Sequence, residues 1–105
     1  MKASIVGASG YAGEELIRLL HGHPYVEIAH LTSERHTGEH ISKLYPHLRN
    51  IYENKLESME DVRRIAEDSD VLFIALPHGH AMKIVQEISA CPVRIIDLGA
   101  DYRFA

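Results

Sequence analysis

Apolar positions change period several times along the chain, and each change marks an element. Residues 2–6, Lys-Ala-Ser-Ile-Val, read as a short strand that runs into a glycine-rich turn. Beyond the turn Ala12, Leu16, Leu19 and Leu20 fall at helical spacing, which predicts one apolar stripe to bury against a sheet and a helix end near Gly22, ahead of Pro24. Residues 26–31 predict a second strand, followed by the polar loop Ser33-Glu34-Arg35-His36-Thr37-Gly38. Ile41, Leu44, Leu48, Ile51 and Leu56 fit no single period and Pro46 interrupts any long helix, so a third strand is placed near 51–56. Ser58-Met59-Glu60-Asp61 has the pattern of a capping box, in which the Ser hydroxyl and an acid three residues on satisfy each other's amides; Met59, Val62, Ile65 and Ala66 would form the buried face of its helix.

Residues 71–76, Val-Leu-Phe-Ile-Ala-Leu, are continuously apolar and stop at Pro77, as expected of a central parallel strand covered on both faces and lying beside the first. Ala81, Ile84, Val85 and Ile88 repeat the helical spacing, and after a turn through Cys91-Pro92 residues 93–98 supply a last strand. Strands alternating with helices predict an α/β fold: a Rossmann-like, doubly wound parallel sheet with helices on both faces, formed by residues 1–105 as one dinucleotide-binding domain.

Composition narrows the function. With 46% hydrophobic and 25% charged residues in 105, the chain has the balance of one globular domain. A net charge of -4, with Lys and Arg scattered apart from the doublet Arg63-Arg64, argues against a nucleic-acid surface. The single cysteine, Cys91, permits no internal disulfide and fits a reducing cytoplasm. The first residues resemble no signal peptide and no apolar run reaches membrane-spanning length, so the expected location is cytoplasmic, with no membrane partner.

The chemistry concentrates in Gly7-Ala8-Ser9-Gly10-Tyr11-Ala12-Gly13, where the first strand stops and the first helix begins. G-x-x-G-x-x-G is a variant of the dinucleotide fingerprint: glycines allow a tight turn, close backbone approach to pyrophosphate and close helix packing. The helix start then offers free amides and partial positive charge to the phosphates. After the second strand, Arg35 assisted by Ser33 suits the 2′-phosphate of NADP, whereas Glu34 suits the ribose hydroxyl of NAD; charge matching to a phosphate favours NADP.

Other polar groups carry less. His78-Gly79-His80 offers two metal ligands, but a catalytic zinc usually needs three protein ligands and no third has suitable spacing, so no metal is expected. Asp101 and Arg103 follow the carboxyl end of the last strand, where ligands of such sheets collect; Arg103 is a candidate substrate contact, and a surface Asp–Arg pair would explain both equally well. Cys91, ahead of Pro92, lacks an activating environment and reads as a packing residue.

The segments GASGYAGEEL at 7–16, LTS at 31–33, ALPHG at 75–79 and DLGADYR at 97–103, together with Gly22-His23-Pro24 and Tyr45-Pro46-His47-Leu48, resemble the N-acetyl-γ-glutamyl-phosphate reductase family across essentially the whole chain. Gly99 stands where that family commonly has Ser, and Tyr102 where it has Phe. The resemblance implies that Gly7, Ser9, Gly10, Tyr11, Ala12 and Gly13 hold the cofactor pyrophosphate, Ser33 and Arg35 lie near the adenosine phosphate, and Leu76, Pro77, His78 and Gly79 lie near the nicotinamide ribose. It also implies a cysteine thiolate that attacks an acyl phosphate and expels phosphate to leave a thioester, whose carbonyl carbon takes hydride from NADPH and releases the thiolate to give the semialdehyde. That cysteine and a catalytic histidine are expected beyond residue 105, in a catalytic and dimerisation domain, so this chain would bind cofactor without turning over substrate, and its parent would be a homo-oligomer. A paralogue acting on aspartyl or aminoadipyl phosphate, and a free-standing NADP-binding module, are the competing expectations.

Overall fold

Alternation along Lys2–Val6 builds β1 so that Ile5 and Val6 enter opposite core clusters, both fully buried. The computed structural model describes residues 1–8, 11–33, 37–44, 55–76 and 78–98. After β1 come α1 (Tyr11–His21), β2 (Glu27–Thr32), a single turn α2 (Ile41–Leu44), a 3₁₀ turn (Met59–Asp61), α3 (Val62–Glu67), β3 (Val71–Ile74), α4 (His78–Glu87) and β4 (Arg94–Asp97). The four strands form one parallel sheet in the order β2-β1-β3-β4. From β1 the chain first steps to one side, then crosses back to the other, so the sheet has a switch point between β1 and β3.

Two cores flank the sheet. On one face Ile5, Ile28 and Leu31 meet Ile17 of α1, with Ile41, Leu56 and the half-buried Phe73. On the other, Val6, Leu72 and Ile74 meet Val62, Ile65 and Ala66 of α3 and Ala81 and Ile84 of α4, with Ile88 just beyond its end. Helices on both faces are the doubly wound arrangement expected from the sequence.

Two local expectations change, and a third lies mostly outside the described residues. The buried stripe of α1 runs through Gly13 and Ile17, with Leu16 and Leu20 partly buried, whereas Leu19 is 71% exposed. Turning the helix this way sets Gly13 against Ala8 and carries Leu19 past the edge of the contact. The strand expected near 51–56 falls partly outside the described residues, at 51–54; Lys55 and Glu57 make isolated bridges only. Their pairing is divided between two partners, antiparallel to His40 and parallel to Thr32, so no ladder extends among the described residues, although Leu56 is buried.

Ser58 caps its helix without a capping box. Its Oγ accepts from the amide of Glu60 at 3.1 Å, and the Asp61 carboxylate lies 3.5 Å from Arg64 Nη2. The element opens as a 3₁₀ turn, with the Asp61 amide already donating to the Ser58 carbonyl at 3.1 Å, so the tighter winding brings the second amide under the hydroxyl and leaves the third engaged elsewhere.

Candidate functional site at the switch point

The carboxyl ends of β1, β2 and β3 converge on the first glycine. Gly7 has φ +88°, in the left-handed region that other residues rarely adopt. Space forbids a side chain as well: a Cβ there would stand 2.6 Å from Leu76 Cδ2 and 2.8 Å from the Ala75 carbonyl oxygen. Gly7 and Leu76, predicted for different parts of one cofactor, are thereby brought into contact at the switch point. At Gly13 a Cβ would lie 2.6 Å from the Ala8 carbonyl oxygen, so α1 sits against the turn as closely as glycine permits. These two glycines perform the tight-turn and helix-packing tasks the motif predicted.

β2 supplies the fastening. Thr32, its last residue, is fully buried; its Oγ1 accepts from the Gly7 amide at 3.1 Å and its carbonyl accepts from the Ala8 amide at 2.8 Å. The same hydroxyl donates to Met59 Sδ at 3.0 Å. Thr32 and Met59 were not singled out as site residues, because their meeting depends on tertiary structure; a hydroxyl residue at a strand end was the only local signal. Ser33 follows at 1% exposure, with its amide on the Glu57 carbonyl at 3.1 Å and its own carbonyl accepting from the Thr37 hydroxyl at 2.6 Å.

The remaining predicted positions divide by what the structure describes. Tyr11 and Ala12 open α1, and His78 opens α4, so both helices start beside this edge of the sheet. Gly79 is exposed, with nothing within 4 Å of where its Cβ would stand. Ser9, Gly10, Arg35, Pro77 and Arg103 lie outside the described residues. Among the described residues no group of three His, Cys, Asp or Glu side chains could hold a metal ion, and no helix is long and apolar enough to cross a membrane. Cys91 is half-buried and packs against the α3/α4 core.

A second constellation was also not anticipated. His30 of β2 places Nδ1 2.5 Å from Glu57 Oε2 and Nε2 2.8 Å from Asp68 Oδ2. Arg64 reaches Glu57 at 2.9 Å and Lys2 reaches Asp68 at 3.4 Å, completing a chain of alternating charge between β2, α3 and β1. Burial alone would lower the His30 pKa, but hydrogen bonds to Asp68 and Glu57, with their negative charges, outweigh it and raise the pKa above its ordinary value.

The family model described as semialdehyde dehydrogenase, NAD binding domain, matches residues 2–105. The chain is 47% identical over 104 residues to the N-acetyl-gamma-glutamyl-phosphate reductase of Desulforudis audaxviator, covering 99% of this chain and 30% of that protein. It is 50% identical over 103 residues to the enzyme of the same name from Geotalea daltonii, covering 98% of this chain and 30% of the other. The chain thus spans about 30% of the length of the curated relatives it matches. Among solved structures, an aspartate semialdehyde dehydrogenase with NADP from Candida albicans superposes with a TM-score of 0.77 at 23% identity, over 97% of this chain and 30% of that one. Aspartate semialdehyde dehydrogenase II from Vibrio cholerae gives 0.75 at 18% identity, over 98% and 32%.

Proposed function

The chain belongs to the semialdehyde dehydrogenase NAD-binding domain family, and from that premise we propose that it is the NADP-binding part of an N-acetyl-γ-glutamyl-phosphate reductase. The observation that carries the cofactor reading is the left-handed Gly7, wedged against Leu76 and Ala75 at the switch point. A turn this tight delivers the chain from β1 to the start of α1, and a helix start offers free amides to a pyrophosphate. Identity of 47% and 50% to the named reductases supports N-acetyl-γ-glutamyl phosphate as the parent's substrate.

NADPH, when bound, supplies a hydride to the activated acyl group. The chain's own part is to bind and orient: Gly7, Ser9, Gly10, Tyr11, Ala12 and Gly13 receive the pyrophosphate, Ser33 and Arg35 the 2′-phosphate, and Leu76, Pro77 and His78 the nicotinamide ribose. Arg103 is the chain's candidate substrate contact. The nucleophilic cysteine belongs to the remaining length of the relatives, of which this chain matches 30%, since Cys91 is engaged in packing. The parent is then a cytoplasmic homo-oligomer of arginine biosynthesis.

Calorimetric titration tests the cofactor assignment. NADPH is expected to bind at least roughly ten-fold more tightly than NADH, the scale of a charge-assisted contact, with the preference lost in Arg35→Ala. Equal binding of the two by the wild-type chain would overturn the NADP assignment and leave Glu34 as the ribose-binding group.

A further inference from the structure

We propose that Thr32 is a positioning residue for the cofactor, a clamp that holds the first two peptide units of the glycine loop in place for pyrophosphate binding. The proposal rests on the cofactor reading above and assigns a residue that the G-x-x-G-x-x-G pattern leaves out.

The hydroxyl's hydrogen-bonding capacity shows how the clamp works. A threonine hydroxyl has one proton to donate. Here that proton is directed to Met59 Sδ at 3.0 Å, which turns the oxygen's lone pairs toward the Gly7 amide at 3.1 Å. The Thr32 carbonyl takes the next amide, that of Ala8, at 2.8 Å. One residue therefore fixes two consecutive peptide units from both its side chain and its backbone. Gly7, Ala8 and Thr32 are all buried, so neither amide is available to a ligand.

The clamp also ties the two halves of the site together. Thr32 bridges in parallel to Glu57, and Ser33 follows with its amide on the Glu57 carbonyl. Any displacement of the end of β2, where the adenosine phosphate is expected, is thus passed directly to the turn that faces the pyrophosphate. Small misplacements of such a turn cost affinity out of proportion to their size, because several phosphate contacts are lost together.

The test compares Thr32→Val, which keeps the shape and removes the acceptor, with Thr32→Ser, which keeps the hydroxyl. Two ligands are titrated well below each variant's melting temperature: NADPH, which has the pyrophosphate, and adenosine 2′-phosphate, which lacks it. Leaving the buried Gly7 amide without an acceptor is expected to weaken NADPH roughly ten-fold or more in the Val variant, to leave adenosine 2′-phosphate within about two-fold, and to be reversed by Ser. In the ligand-free chain the Gly7 amide should exchange with solvent faster in the Val variant and at the wild-type rate in the Ser variant.

Equal losses for both ligands would show a general structural role and overturn the proposal, as would unchanged NADPH binding in the Val variant. A wild-type chain that binds neither ligand while Gly7 stays protected would remove the cofactor reading, and the role of Thr32 with it. That result is distinct from binding that survives loss of the clamp, which overturns only the role of Thr32.

Discussion

Glycines 13 and 79 share a side chain and predict opposite outcomes of substitution. At Gly13 an added methyl meets the Ala8 backbone at 2.6 to 2.7 Å, and backbone cannot swing aside as a flexible side-chain tip can. Gly13→Ala is therefore expected to cost about 1–3 kcal/mol, the usual cost of overpacking, and to lower the melting temperature by several degrees. At Gly79 the same methyl enters open space within α4, where alanine is the better helix former, so Gly79→Ala should stabilise by up to about 0.5–1 kcal/mol. Thermal unfolding of both variants checks the pair; a Gly13→Ala chain that melts with the wild type would contradict the close seating of α1 on the turn. Placement of the glycines was legible from spacing alone, since a strand followed by G-x-x-G-x-x-G and a helical stripe leaves few alternatives. Thr32 was not: its partners Gly7 and Met59 lie 25 and 27 residues away along the chain, and no local pattern records who meets whom at that range.

Between elements, the charged chain through His30 joins β2 to α3. With its pKa raised, His30 holds its proton more tightly in the folded chain than in the unfolded one. Its contribution to stability is full below its unfolded pKa, about 6.5, and is lost as pH rises through the higher folded value. Asp68 has the opposite sign: hydrogen bonds from His30 and then Lys2 lower its pKa, so its contribution is present above its unfolded value, about 3.8, and is lost as pH falls through the folded one. The link is strongest in the window between. Melting temperatures measured from about pH 6 to about pH 8.5 should fall for the wild type and fall less for His30→Gln, because only the former releases this proton. Parallel curves for the two chains would show that the bridge does not couple to folding. Element order was readable because strand and helix periods alternate cleanly on either side of the glycines. The segment near Lys55 was not, because its backbone pairs with two different neighbours and so presents neither period. Leu19 misled for a related reason: helical spacing identifies an apolar stripe, and only the seating of Gly13 on Ala8 decides where the buried arc stops.

At the scale of the whole molecule the sheet is covered unequally by the described residues. α3 and α4 together bury one face, while on the other α1 lies over β1 and β2 and leaves Phe73 and Ile96 along an open groove. The proposed cofactor site lies at the edge where β1, β2 and β3 end, apart from the groove beside β3 and β4. This division follows from the strand order, since a switch point opens a crevice only between β1 and β3. The most direct test of the site's location is a titration of the isotopically labelled chain with NADPH, followed through its assigned backbone amide resonances. Saturable shifts should centre on residues 7–13, 33–38 and 76–79. Shifts centred on Phe73, Arg94 and Ile96, or the absence of any saturable shift, would contradict a dinucleotide site at the switch point.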